Sequence, residues 1–326
     1  MAGRSAPISN KGTLEETFFL SLQNSLSDLR GSRLGGLKLL RKSVWVAKHT
    51  QLPFVEFRVV KTWRSVSGEV RALTRLGDEL FVLHDQNDDQ VIVYSAETSA
   101  GYKRLRQFSI DGLRGYTMLT FTSYSDMISC EAHKCLYFSW GHDIHKSTTD
   151  GDEIAKWSVP GCAGGCLALS PTNNILITDI FSRVLQEVCS DSGTLIRRVK
   201  LQSDIKYPWH AVQRADQNYV VVHGSGADKL HRVCVFDVNG QVVLNYGGQP
   251  GSSVTQLNFP RHIAVDKDNF IFVADYYNNR VALLSPSLQL VRHIKLTEMP
   301  NRLYLDQETR RLYIGHESGG VTIIQT

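Results

Sequence analysis

With 326 residues, 42% of them apolar and 21% charged, and a mean hydropathy of -0.19, the chain has a globular composition that excludes a disordered polymer and a membrane bundle alike. The net charge of +4 is unevenly placed: residues 1–50 hold eight Lys/Arg against three Asp/Glu, leaving 28 against 29 for the remainder. A domain held to nucleic acid by bulk charge would carry its own surplus, so DNA is not an expected partner.

Uncharged apolar stretches stop at about ten residues, short of the roughly 20 that a membrane-spanning helix needs. Glu15 and Glu16 interrupt the place where a secretory or transit signal would lie, so the chain reads as cytoplasmic with no membrane association. The six cysteines form no C-x-x-C pair, and they read as buried free thiols rather than zinc ligands.

In chain order, the first element predicted is a helix. Thr13 and Glu16 form a capping box, and Leu14, Phe18, Leu22, Leu26 and Leu29 recur every three or four residues up to Gly31. Residues 1–51 therefore read as a basic helical leader. From Phe54 to Trp63 the chain alternates apolar and polar in part, like an outer β-strand.

From about residue 70 a unit recurs: a short apolar strand, a turn, a second apolar strand with a polar or aromatic end, a polar loop and a further strand. The second strands are Leu80 to His84, Leu136 to Trp140, Ile175 to Asp179, Tyr219 to His223, Ile271 to Asp275 and Leu312 to His316. Their final residues lie 39 to 56 apart, about 46 on average. A period of that size built only from β signals predicts an all-β propeller, since one small sheet must stack against its neighbours around an axis.

The clearest copy runs Phe259-Pro260-Arg261-His262-Ile263-Ala264-Val265-Asp266, then the turn Lys267-Asp268-Asn269, then Phe270 to Asp275, Tyr276 to Arg280, Val281 to Leu284 and Leu288 to Leu296. Pro208-Trp209-His210 and Pro300-Asn301-Arg302 repeat its opening. The stretch PRHIAVDKDNFIFVADYYNNRV resembles an NHL repeat, and the series resembles the six-bladed NHL propeller of tripartite-motif proteins. The match is specific over residues 257–296 and partial over 162–202, 206–247 and 298–325. WD40 arrays want a Trp-Asp pair, which is absent from the sequence; kelch blades want a glycine and aromatic pattern that the paired glycines here lack.

The expected fold is thus a six-bladed, NHL-like β-propeller over residues 52–326 with a short N-terminal helical segment. The last blade supplies three strands before the sequence ends, so strand 54–63 is expected to pair with 320–325 and cover its edge.

Three chemistries compete. In the loop Asp275-x-x-Asn278-x-Arg280 the structural reading dominates: Asp takes up local amides, Asn accepts a tight bend and Arg clamps the loop, with Asp179 and Arg183 as a shorter copy. A metal reading starts from His84, His223 and His316 at equivalent positions of their blades, which ring symmetry could gather. The amidating lyase, an NHL-like propeller, places a zinc histidine directly after the leading proline. Here Trp209, Arg261 and Asn301 stand there, and His210 and His262 come one residue later, on the opposite face of a regular strand.

No carboxylate pair recurs with the blade period as calcium or acid/base chemistry requires, and no nucleophile elbow or phosphate loop occurs. No cofactor is expected, and the chain reads as a non-enzyme. The resemblance implies instead that residues after the leading proline emerge on one rim, and these are Trp209, His210, Arg261, His262, Asn301 and Arg302. They suit a protein partner or, alternatively, single-stranded RNA read by stacking and base-edge contacts. The resemblance further implies recruitment of substrates to a ubiquitin-ligase system. A metal-dependent lyase or lactonase is the third reading.

Overall fold

The computed structural model describes residues 57–326 apart from 65–67, 85–89, 96–100, 110–124, 163–164 and 227–229. The helical leader expected over residues 1–51 lies outside the described residues. The described residues form six four-stranded antiparallel sheets, the blades of an all-β propeller.

Strand β1 (Arg58–Arg64) comes first in sequence. Blade 1 then holds β2 (Val70–Leu76), β3 (Glu79–His84), β4 (Gln90–Tyr94) and β5 (Arg104–Ser109), and blade 2 holds β6 (Asp126–Cys130), β7 (Cys135–Trp140), β8 (Asp143–Ser147) and β9 (Glu153–Ser158). Blade 3 holds β10 (Gly165–Leu169), β11 (Ile175–Asp179), β12 (Val184–Val188) and β13 (Leu195–Lys200), and blade 4 holds β14 (Pro208–Gln213), β15 (Tyr219–His223), β16 (His231–Phe236) and β17 (Val242–Gly248). Blade 5 holds β18 (Pro260–Val265), β19 (Ile271–Asp275), β20 (Arg280–Leu284) and β21 (Leu290–Lys295). Blade 6 takes β22 (Pro300–Asp306), β23 (Arg311–His316) and β24 (Gly320–Gln325) from the end of the sequence and β1 from its beginning.

That last sheet closes the ring. Strand β1 runs antiparallel to β24, with Arg58 opposite Gln325, Val59 opposite Ile324 and Arg64 opposite Gly320. The inner strands β2, β6, β10, β14, β18 and β22 each lie against the next around the axis.

The second strand of every blade is apolar at almost every position because both its faces are covered. Alternate residues go to alternate neighbours: Phe81 and Leu83 pack toward blade 2 with Leu136 and Phe138, while Leu80 and Val82 pack toward blade 6 with Tyr313 and Ile323. In blade 4, Val220 and Val222 join Ile271 and Val273 of blade 5, while Tyr219 and Val221 join Leu176 and Leu185 of blade 3. Each such side chain contributes about 1.5–3 kcal/mol by leaving water. The core is therefore a cycle of sheet-to-sheet layers rather than a single centre.

The loop after β19 is held by its buried acid. The Asp275 carboxylate accepts the amide of Asn258 at 2.7 Å, the Asn278 side chain at 2.8 Å and Arg280 Nε at 2.6 Å. Arg280 also donates to the carbonyls of Ser252, Ser253 and Gln256, so one guanidinium ties the 251–258 loop to the strand. The tight bend falls on Asn279, which is left-handed at φ 48°, rather than on Asn278, which spends its amide on Asp275 and Gly251. In blade 3, Asp179 takes the amides of Phe181 and Ser182, and Arg183 donates to the Ser203 carbonyl.

Replacing Arg280 by Ala strands the Asp275 carboxylate in a fully buried place. The expected loss is about 3–5 kcal/mol, read as a lower urea midpoint at unchanged slope. Arg280→Lys should recover little, because an ammonium cannot span the four acceptors.

Candidate functional site

The inner strands present their free backbone edges to the axis, and the residues predicted as a binding rim sit there. In blade 4, Pro208 faces His223 and His210 faces Val222, leaving Trp209 as an extra residue. The same irregularity follows Val70 in blade 1, Pro260 in blade 5 and Pro300 in blade 6. Such a β-bulge sets two residues against one and resets the alternation of side chains. The parity argument that sent His210 and His262 to the opposite face therefore fails: their rings stack with centroids 3.7 Å apart, and a ligand-type atom of each lies within 4.8 Å of the other and of an Asp126 oxygen.

These side chains pair with backbone groups of the free edges. His210 Nε2 donates to the Leu167 carbonyl at 3.1 Å, and its Nδ1 accepts the amide of Ile263 at 3.4 Å. His262 Nδ1 accepts the amide of Leu303 at 3.4 Å, Asn301 donates to the Val70 carbonyl at 2.7 Å, and Asp126 accepts the amide of Leu167 at 2.7 Å. Arg71 to Ser125 and Thr74 to Ser129 complete the circle. Every pair of adjacent blades is thereby joined near the axis.

Above this ring lies a charged mouth. Arg261 donates to Glu69 at 2.8 Å, Asn301 Oδ1 at 2.7 Å and Glu317 at 3.4 Å, and its guanidinium lies 4.2 Å from the Tyr276 ring centre and 5.1 Å from that of Phe259. The Tyr276 hydroxyl donates to Glu317. Trp209 is buried, stacks edge-on against Phe259, and gives its Nε1–H to the Gly224 carbonyl at 2.9 Å.

The expected free rim is thus corrected. Trp209, His210, His262, Asn301 and Arg302 are buried, because the bulge turns them toward backbone groups that must be paired. Arg261 alone of the six reaches the mouth, with its side chain 19% exposed. The histidines proposed to converge do not: His84, His223 and His316 each face the first residue of their own blade's inner strand. Each lies against the backbone just before it, at Gly68, Lys206 and Glu298.

Sequence reasoning missed Asp126, Glu69 and Glu317. The blade spacing contains the signal for Asp126: the residues opposite the penultimate position of the second strand, Ala72, Asp126, Cys166, His210 and Arg302, stand 12 to 14 places before that strand's end. Glu69 immediately precedes β2 of blade 1 and Glu317 immediately follows β23 of blade 6, both in connecting loops, where spacing varies.

The cluster around Asp126, His210 and His262 has the residue types of a metal site without its geometry. His210 has both ring nitrogens committed, and face-to-face imidazoles direct their lone pairs side by side instead of to one point. Arg302 Nε stands 4.0 Å from Asp126 Oδ1, adding a fixed positive charge. Burial lowers His210 to a pKa of about 3 and puts His262 well below its ordinary value, while burial raises Asp126 to about 6.

Around the mouth, on the face where the inner strands begin, Phe181, Tyr207, Val254 and Tyr277 are exposed. They come from loops of the consecutive blades 3 to 5. Tyr207 and Phe259 immediately precede prolines and are left-handed at φ 51° and 60°, a strained state for aromatic residues.

The NHL repeat family model matches residues 257–282, the span of β18 and β19 with the first residues of β20. No curated protein matches the chain by sequence. Among solved structures it is similar to a virginiamycin B lyase from Staphylococcus aureus, at 10% identity over 83% of this chain and 100% of that one, TM-score 0.54. It is similar also to the WD40 propeller domain of Doa1, at 12% identity over 83% and 97%, TM-score 0.56. A streptogramin B lyase aligns at 10% identity over 82% and 97%, TM-score 0.54. These likenesses define the class as a β-propeller carrying an NHL repeat, a scaffold that suits a binding module. No helix among the described residues is long and apolar enough to cross a membrane.

The buried histidines fix the response to acid. A histidine whose folded pKa is depressed contributes stability that is complete above its unfolded value of 6.5 and is lost as pH falls toward the folded value. For His210 that window runs from 6.5 to about 3, and for His84 and His223 to about 4. Asp126, raised to about 6, opposes this: its contribution is complete below 3.8 and lost as pH rises through 6. Burial raises Asp266 and Asp275 as well, but the seven depressed histidines outnumber these three acids, so the denaturation midpoint should drop as pH is lowered from 6.5 to 4. His210→Gln should lower stability at pH 7 yet show a shallower fall on acidification.

Proposed function

We propose that the chain is a non-catalytic recognition module that binds a protein partner through the proline-flanked face of its propeller. The observation that carries this reading is the group of exposed apolar residues on that face, Phe181, Tyr207, Val254 and Tyr277. Aromatic side chains supply large rigid contact area and are enriched at the energetic centres of protein interfaces, and Tyr207 is held there in a left-handed backbone state of the kind that clusters at functional sites. The six residues nominated from sequence take two roles in this reading. Arg261 borders the contact surface, while Trp209, His210, His262, Asn301 and Arg302 hold the strands beneath it.

RNA binding through the same residues is the weaker reading. Trp209 has no face free for a base, and Arg261 is matched by Glu69 and Glu317. The enzyme reading draws on the lyases of similar fold, but identities near 10% carry the fold and not the chemistry. The tripartite-motif NHL resemblance extends the proposal to substrate recruitment in a ubiquitin-ligase system, in the cytoplasm, with no DNA or membrane as ligand.

Tyr207→Ala combined with Tyr277→Ala should leave the melting temperature within about 2 °C, since both side chains are exposed. Proteins cross-linked to the wild-type chain in cells should be lost from the double variant. Retention of a single-stranded RNA pool that weakens steeply with salt, with the protein contacts unchanged in the variant, would reverse the two readings.

A further inference from the structure

Arg302 stands at the centre of the ring. Its charge acts on Asp126 of blade 2, Cys166 of blade 3, His210 of blade 4 and His262 of blade 5. The side chain is only 10% exposed. Nη1 donates to the carbonyl and the side-chain oxygen of Asn301 at 3.2 and 3.1 Å, but the buried Nε–H meets no acceptor among the described residues.

Asp126 does not fill that role. Its Oδ1 is 4.0 Å from Nε, beyond hydrogen-bond reach, and its two oxygens already take the amides of Met127 and Leu167. A buried guanidinium with an unused N–H attracts an anion and repels a metal cation.

We propose that the hub of the propeller binds a small monovalent anion, a halide or a short carboxylate, on the Arg302 guanidinium. This site is independent of the protein-binding face. The neighbouring titratable groups determine its pH response. Cys166, raised to about 12 by burial, and His210, lowered to about 3, stay neutral between pH 5.5 and 7.5, burial holds His262 well below its ordinary value, and Glu69 and Glu317 are paired with Arg261. Asp126, raised to about 6 by burial, takes up a proton on acidification and removes the carboxylate charge that stands 4.0 Å from the Arg302 Nε, leaving Glu69 and Glu317 as the carboxylates that still act on it. Anion binding therefore tightens as pH falls.

The test is thermal unfolding of the full chain in sodium chloride, sodium acetate and sodium gluconate at equal ionic strength, at pH 5.5 and 7.5. The expected result is a saturable rise of about 2–4 °C in chloride or acetate over the bulkier gluconate, larger at pH 5.5. The more effective anion identifies the ligand as halide or carboxylate. Identical melting in all three salts at both pH values overturns the proposal, as does a rise produced by zinc in gluconate and by neither small anion. Arg302→Gln should abolish the anion-dependent rise. Because that variant risks misfolding, wild-type crystals soaked in bromide supply a second reading: an anomalous peak beside Nε supports the site, and a water there overturns it.

Discussion

A propeller is built from sheets that each end, at the axis, in an unpaired edge. The edge is a row of amides and carbonyls shielded from bulk water, and its satisfaction is the constraint on which the rest of this structure depends. The protein meets it with side chains that cross from one blade to the next: Asp126 to Leu167, His210 to Leu167 and Ile263, His262 to Leu303, and Asn301 to Val70. Because each link spans two blades, the ring is cooperative. A blade cannot loosen without releasing polar groups of both its neighbours, and the apolar layers between blades depend on the same alignment.

The same constraint explains the bulges after Val70, Pro208, Pro260 and Pro300. A regular inner strand would send alternate side chains into the two inter-blade layers and none along its own edge. One extra residue breaks the alternation and turns a polar side chain toward the hub. The polarity of the axis is therefore a product of backbone geometry, and the stacked neutral imidazoles of His210 and His262 are its clearest expression.

This is also where the sequence stopped being readable. The second strands, the number of blades and the turn chemistry were legible, since they repeat with a fixed period and are buried on both faces. The roles of Asp275 and Arg280 were legible because a short loop leaves an acid and a fork of donors few alternatives. The hub was not: a bulge leaves no mark in composition, so strict alternation assigned His210 and His262 to the wrong side, and the equivalence of His84, His223 and His316 suggested a convergence that their own blades prevent. Asp126 was hidden because blade 2 lacks the leading proline that marks the start of three other blades, although its register opposite Ser139 is that of His210 opposite Val222 and Arg302 opposite Gly315.

The closing sheet has a consequence for biogenesis. Its β1 is made early and its partner β24 last, so about 260 residues separate Val59 from Ile324. During synthesis five complete sheets can form while β1 still has no neighbour, and the final joining is a loop closure of the longest kind the domain contains. Until it occurs, β1 has no strand partner and the face of blade 1 that carries Leu80 and Val82 is uncovered, open to association with other nascent chains. That exposure lasts until residues 320–325 are made and pair with β1.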